Sequence, residues 1–300
     1  MAACGNRRDT LTLAVMPAAQ KPASFSRRDL LKGVAAAAVG TVVGTADYGY
    51  VYARHRVGLT RETVRVSGLS PELDGLRIGF LSDLHRSDTV SHELASSAVN
   101  LLLAERPDII MLGGDYVTWG GGRDRRFVDQ AAEALAPLTA PHGVFAILGN
   151  HDDDKAMPAA LAARGITVLR DARTRVEIKG VALDIAGIRF WTRKAADIGR
   201  IVKGAAPDLI LLAHTPSRLS EAVSLAIPLV LSGHTHGGQI VLPGVGAIAA
   251  REFPVVQGIG RQGATSIFVT RGVGTVYIPM RLNCPPEVAV LTLEPFTRLA

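Results

Sequence analysis

The amino-acid sequence predicts an α/β fold, and three observations carry that expectation. Short apolar runs of strand length recur at 76–81, 108–112, 143–148, 207–213 and 227–231, each bounded by turn-forming residues. Segments with helical spacing separate several of them. A chain of 300 residues, 48% hydrophobic, is also long enough to fill a large core or two modest ones.

Taken in order, 63–66 is β-like and leads through a turn-rich stretch at 68–75 to the first buried run, 76–81, which stops at Ser82-Asp83-Leu84-His85. A helix is expected over 92–105 from the spacing of Leu94, Ala98, Leu101 and Leu102, with Ser91 as its N-cap and Pro107 as its stop. The second run, 108–112, ends in Gly113-Gly114-Asp115. A glycine- and arginine-rich loop at 120–126 precedes a helix over 127–138, and the third run enters Gly149-Asn150-His151-Asp152. A short helix at 157–164 follows. The segments 167–170, 175–179 and 182–190 alternate moderately and read as antiparallel strands of a second sheet. The run 207–213 ends at His214, a helix covers 217–225, and 227–231 stops at Ser232-Gly233-His234-Thr235-His236-Gly237-Gly238-Gln239. The glycine- and proline-rich stretch up to 263 reads as a surface loop or lid, and strands at 266–270 and 288–293 complete the chain.

The formal charge of +6 is not spread evenly. Residues 1–65 hold ten Lys or Arg against four Asp or Glu, which leaves twenty-three of each beyond them. The body is formally neutral, so a nucleic-acid reader is not expected. The two cysteines, Cys4 and Cys284, make no disulfide framework, because Cys4 lies in a segment expected to be removed.

The basic excess belongs to an N-terminal address. Ser26-Arg27-Arg28-Asp29-Leu30-Leu31-Lys32, followed by a mild apolar stretch at 33–46, resembles a twin-arginine (Tat) export signal, with Leu30 where Phe is usual. That resemblance implies the Tat machinery as a partner and a location outside the cytoplasm. Cleavage is expected near residue 46 or 53. Left uncut, the stretch is a weak membrane anchor. The expected organisation is therefore 1–53 signal or anchor, 54–75 lead-in segment, and 76–300 a single domain.

Function in α/β proteins gathers at the ends of strands, and these strands end in carboxylates and imidazoles. Neutral imidazole is a ligand for zinc, manganese or iron, and the glycines around His234 and His236 allow a tight turn. In isolation, His-x-His is equally a pair of surface histidines on one side of a strand. Five of the eight histidines, however, fall in the strand-end blocks; His55, His92 and His142 do not.

The blocks Asp-x-His, Gly-Asp, Gly-Asn-His-Asp, His and Gly-His-x-His resemble, in order and composition, those of the calcineurin-like metallophosphoesterase superfamily, from about residue 76 onward. The resemblance implies two packed mixed β-sheets flanked by helices, a four-layer α/β/β/α arrangement. It assigns Asp83, His85 and His236 to one divalent metal, Asn150, His214 and His234 to another, and Asp115 as a bridge, the metals being Mn, Fe or Zn. It implies hydrolysis of a phosphomonoester or phosphodiester substrate through in-line attack by a hydroxide lying between the metals. His151 is then expected to stabilise the transition state and protonate the leaving oxygen, with Asp152 orienting it or, alternatively, capping a helix. Arg86 is either a phosphate clamp or a solvated loop residue, and Tyr116 and Trp119 are packing residues or substrate contacts.

The tail, with Arg271-Gly272-Val273-Gly274 and Cys284-Pro285-Pro286-Glu287, is similar to a bacterial exported subgroup. Some relatives there act on UDP-2,3-diacylglucosamine. A lipid-linked pyrophosphatase at the membrane is thus an alternative expectation, and a catalytically silent envelope-binding scaffold is another.

Overall fold

The computed structural model describes residues 26–118, 125–247 and 249–296. Residues 26–43 belong to one compact unit and residues 44–296 to another. Helix α1, Arg27–Asp47, starts where Ser26 and Asp29 cap each other, Ser26 Oγ donating to Asp29 Oδ2 at 2.6 Å and Asp29 N donating to Ser26 Oγ at 3.2 Å. It continues through one π-helical and one 3-10 turn to His55, and is long and apolar enough over Arg27–His55 to cross a membrane.

The second unit runs β1 (Gly58–Val66), β2 (Arg77–Leu81), α2 (His92–Ala104), β3 (Ile109–Leu112), α3 (Arg125–Leu135), β4 (Val144–Ala146), α4 (Ala156–Ala162), β5 (Thr167–Val168), β6 (Ala172–Ile178) and β7 (Val181–Gly187). It goes on through α5 (Ala195–Val202), β8 (Leu209–Leu212), α6 (Leu219–Ser224), β9 (Leu229–Ser232), the small hairpin β10 (Val241–Leu242) and β11 (Gly246–Ala247), then β12 (Gly258–Gln262), β13 (Thr265–Val269) and β14 (Glu287–Pro295). Two six-stranded sheets result, ordered β1-β14-β2-β3-β4-β5 and β12-β13-β9-β8-β7-β6.

Strands buried on both faces need apolar side chains on both, and that requirement builds the layers. Ile78, Phe80, Ile109 and Met111 of the first sheet meet Ile210, Leu212, Leu229, Leu231 and Phe268 of the second, with the Phe80 and Phe268 rings edge to face at 6.2 Å. The alternate residues Leu81, Ile110 and Leu112 pack under α2, α3 and α4 through Ala98, Leu102, Leu135 and Leu161. On the far side, Leu211, Val230 and Ile267 pack under α5 and α6 through Ile198, Leu219 and Ala222. The order is helix, sheet, sheet, helix, as expected.

One feature differs from the sequence reading, and two add to it. The strand at 167–168 joins the first sheet, parallel to β4, and not the second. The second sheet is antiparallel only at its margins, β6 with β7 and β12 with β13. Its centre, β7-β8-β9-β13, is parallel, because α5 and α6 serve as crossovers. The lead-in stretch 54–75 supplies an edge strand: β1 pairs in parallel with β14 from Gly58 opposite Glu287 to Val66 opposite Pro295.

Candidate metal centre

Strand ends of both sheets converge on one point. Asp83 and His85 follow β2, Asp115 follows β3, Asn150 follows β4, His214 follows β8, and His234 and His236 follow β9. Five of these seven residues hold a left-handed backbone: Asp83 (φ 54°), His85 (48°), Asp115 (54°), His234 (72°) and His236 (51°). Asp and His tolerate that region better than most residues, yet each position still costs on the order of 1 kcal/mol. Glycines clear the remaining space. A Cβ on Gly149 would lie 1.9 Å from Asp115 Oδ1, and one on Gly233 would lie 2.1 Å from Asp83 Oδ2.

Two groups of possible ligands result: Asp83, His85 and His236, and Asp115, His214 and His234, the donor atoms of each lying within 4.8 Å of one another. Ring nitrogens face ring nitrogens in both. His85 Nε2 is 3.1 Å from His236 Nε2, and His234 Nδ1 is 3.2 Å from His214 Nε2. His214 Nδ1 donates to the Gly113 carbonyl at 2.8 Å, so in the neutral ring its Nε2 lone pair points at Asp115 Oδ2, 3.1 Å away. Lone pairs and carboxylates converging this way fit a cation. The Asn150 amide oxygen is buried without a hydrogen-bond partner, which a cation would satisfy.

The electrostatics agree with that fit. Burial lowers the imidazole of His85 to about 3 and that of His234 to about 4, and pushes His236 well below its ordinary value, so all three are neutral donors near pH 7. His214 is the exception. Burial works to lower it, but the charge and hydrogen bond of Asp115 prevail and raise it to about 10. Asp115 is held far below the carboxylate range for the same reason, His214 and His85 outweighing its burial. Asp83 and Asp152, buried beside Asp115, are pushed up to about 6 and about 7, chiefly by burial. Asp83 and Asp115, both buried, stand among these imidazoles, and carboxylates crowded together out of water are the condition that divalent cations relieve.

The remaining candidates fall into different places. His151 is half-buried, its N–H donates to Asp115 Oδ1 at 2.9 Å, and its Nδ1 donates to the Thr118 carbonyl. Asp152 neither touches that ring nor caps a helix. Its oxygens accept from the N–H groups of Asp115 (2.8 Å), Tyr116 (2.8 Å) and Gly149 (2.9 Å), so it locks the loops after β3 and β4 together. Tyr116 is a core residue whose hydroxyl donates to Ile147 O at 2.8 Å. Arg86 donates to the carbonyls of Ser87 and Val90 and lies over the Phe127 ring, so its guanidinium is engaged locally. Trp119 lies outside the described residues.

Sequence reasoning missed two residues. Gln239 uses its side-chain amide like a strand backbone, accepting from Val276 N at 3.0 Å and donating to the carbonyls of Val276 (3.3 Å) and Ile278 (2.6 Å). Arg281 is fully buried and donates to the carbonyls of His236 (3.1 Å), Cys284 (3.3 Å), Arg271 (2.8 Å), Gly272 (3.2 Å) and Gly274 (2.5 Å). A Cβ on Gly272 would lie 2.5 Å from Asp83 Cβ, and one on Gly274 would lie 2.8 Å from His85 Cβ, so the chain that Arg281 grips is the floor under both ligands. The Gln and the Cys-Pro-Pro-Glu tail were visible in the sequence, but no local pattern links position 281 to position 236.

Comparison with known proteins agrees with this architecture. Residues 76–238 match the calcineurin-like phosphoesterase family. An uncharacterized metallophosphoesterase of Bacillus subtilis, YkuE, is 32% identical over 90% of this chain and 98% of its own length. The phosphodiesterase YaeI of Escherichia coli is 31% identical over 90% of this chain and 99% of its own. A bovine transmembrane protein with a metallophosphoesterase domain is 29% identical, matching 90% of this chain and 64% of its own. The chain belongs to the calcineurin-like phosphoesterase family and is a metal-dependent phosphoric ester hydrolase.

Proposed function

We propose that this member of the calcineurin-like phosphoesterase family hydrolyses phosphomonoesters or phosphodiesters outside the cytoplasm, using two divalent cations drawn from Mn, Fe and Zn. Asp83, His85 and His236 hold one, Asn150, His214 and His234 hold the other, and Asp115 serves both. The observation that carries this reading is the facing of imidazole nitrogens at 3.1 and 3.2 Å around buried carboxylates. When bound, such a pair of cations supplies Lewis-acid charge and makes a water acidic enough to attack phosphorus near neutral pH.

The chain's own residues do the rest. The Thr118 carbonyl fixes the Nδ1 proton of His151, so Nε2 is the nitrogen that gives up or takes a proton. His151 lines the cavity next to the ligands and is the group to stabilise charge on the phosphoryl oxygens and to protonate the leaving alkoxide oxygen, giving the alcohol, as its P–O bond breaks. Asp152 is a positioning residue, acting through the two loops it joins.

Ser26-Arg27-Arg28 and the apolar α1 support export by the Tat machinery, with α1 either removed or kept as an anchor. A lipid-linked pyrophosphate substrate at the membrane is a second reading, favoured by α1. Mass spectrometry of the mature N-terminus separates the two fates, since a soluble chain starting near residue 47 or 54 removes the anchor.

The test is hydrolysis of 4-nitrophenyl phosphate and bis(4-nitrophenyl) phosphate by the purified chain with Mn2+, Fe2+ or Zn2+, with metal content measured on the same sample. Two cations per chain with turnover of either ester supports the reading. Two cations without turnover of any phosphate ester makes the fold a binding scaffold instead.

A further inference from the structure

The cavity beside the candidate ligands has an apolar half that the hydrolytic machinery does not use. About 480 Å3 in volume, it is lined by His151, His234 and His236 and, beside them, by Ile240, Phe253, Val276, Tyr277 and Ile278. Its volume falls in the range of small-molecule sites. Phe253 stands edge-on to His234 with ring centroids 5.4 Å apart, so the apolar half begins at a candidate ligand. Tyr277 and Ile278, at its mouth, are 77% and 54% exposed. Large apolar side chains left open beside a polar centre mark a surface meant to be covered.

That wall is held in place. Gln239, three residues after His236, makes its three amide hydrogen bonds to Val276 and Ile278, fixing the wall at a set distance from the ligands. Farther along, Arg281 N donates to Gly49 O at 3.1 Å, and a Cβ on Gly49 would lie 2.8 Å from the Arg281 carbonyl, so the segment just after the apolar helix closes directly on the chain behind the wall. Among the described residues lining the cavity there is no Lys or Arg, and Glu252 adds a carboxylate. Nucleoside polyphosphates and other polyanions, which call for such cations, are poorly matched.

We infer that this wall is a subsite for an apolar alkyl, acyl or aryl group carried by the phosphoester, an inference that rests on the phosphoesterase reading above. The phosphoryl group lies at the histidine end and the apolar group lies against Ile240, Phe253, Val276 and Ile278. The apolar group belongs either to a membrane lipid or to a soluble ester, and the chemistry of recognition is the same for both.

The full chain loaded with Mn2+ is assayed against methyl 4-nitrophenyl phosphate and hexyl 4-nitrophenyl phosphate. The hexyl ester is expected to show kcat/KM at least about tenfold higher, mainly through KM. The double variant Tyr277→Ser, Ile278→Ser is expected to bring that ratio toward one. A ratio near one in the unaltered chain, or an unchanged ratio in the double variant, overturns the subsite while leaving the phosphoesterase reading intact. Hydrolysis of neither ester overturns the phosphoesterase reading, and the subsite with it. Calorimetric titration with hexylphosphonate and methylphosphonate provides a readout without turnover, and equal dissociation constants overturn the subsite. Vesicles of phosphatidylglycerol then separate the sources. Release of phosphatidic acid or glycerol phosphate assigns the apolar group to a lipid, and a hexyl preference without vesicle hydrolysis assigns it to a soluble ester.

Discussion

Arg281→Lys tests whether the floor of the metal centre is held by hydrogen-bond number or merely by charge. The guanidinium reaches five carbonyls, two through Nη1 and three through Nη2, and among the described residues no carboxylate bonds to it. A lysine ammonium keeps the charge but offers three N–H donors, so at least two of the five carbonyls lose their donor. The carbonyls of His236 and Gly272 also accept from the N–H groups of Gln239 and Glu287, so what is lost is two bonds and not two paired acceptors; at about 0.5–1.5 kcal/mol each the variant should be destabilised by about 1–3 kcal/mol. That corresponds to a fall of about 2 °C or more in Tm for a domain of this size. Thermal unfolding of the cation-free chain measures the fold by itself. Metal analysis after reloading measures the site, where the His236 side should bind its cation more weakly because the loop carrying His236 has lost its anchor. A lysine variant that melts within about 1 °C of the unaltered chain and retains both cations at the original affinity would refute the reasoning.

Other consequences can be measured in the same preparations. His234→Ala and His236→Ala should each lose one cation of two, and loss of both from either variant contradicts a divided site. Gly233→Ala brings a methyl to 2.1 Å from Asp83 Oδ2, so the carboxylate must move by an ångström or so, and kcat/KM should fall about 100-fold with the fold retained by circular dichroism. Unchanged turnover would show that the loop relaxes freely. Asp184 is buried; burial acts to raise it, but bonds from Arg175, the Ala206 N–H and Arg173 hold it below the usual carboxylate range. Its contribution is therefore present above the unfolded value of about 3.9 and disappears as pH falls through the lower folded value. Asp184→Asn should cost about 3 kcal/mol at pH 7, the low end for a broken buried pair because both arginines are part-exposed, and should flatten the loss of stability below about pH 4 in urea titrations. A parallel acid limb in the variant would remove Asp184 as its source.

Much of this centre was legible because its chemistry is concentrated at strand ends. Asp83, Asp115, His214 and His234 each terminate an apolar run, so residue type and position point to the same use. What stayed hidden depends on contacts between distant residues. Gln239 closes on Val276 and Ile278, and Arg281 on His236, across spacings that no periodicity reports. Asp152 sits next to His151 in sequence, yet its carboxylate turns toward the loops after β3 and β4, because the N–H groups of Asp115, Tyr116, Val117 and Gly149 there need an acceptor and the ring already has Thr118. Strand 167–168 pairs with β4 in the first sheet, which its sequence does not announce, because two residues of moderate alternation carry no information about their neighbour.

The position of β14 bears on how the protein is made. Residues 287–295 lie between β1 and β2, parallel to one and antiparallel to the other, so the first sheet has a gap until those residues have left the ribosome. The strands carrying Asp83, Asp115 and Asn150 emerge early but cannot settle against a finished sheet until then. A ribosome stalled before residue 287 should therefore display a nascent chain open to protease throughout the first sheet.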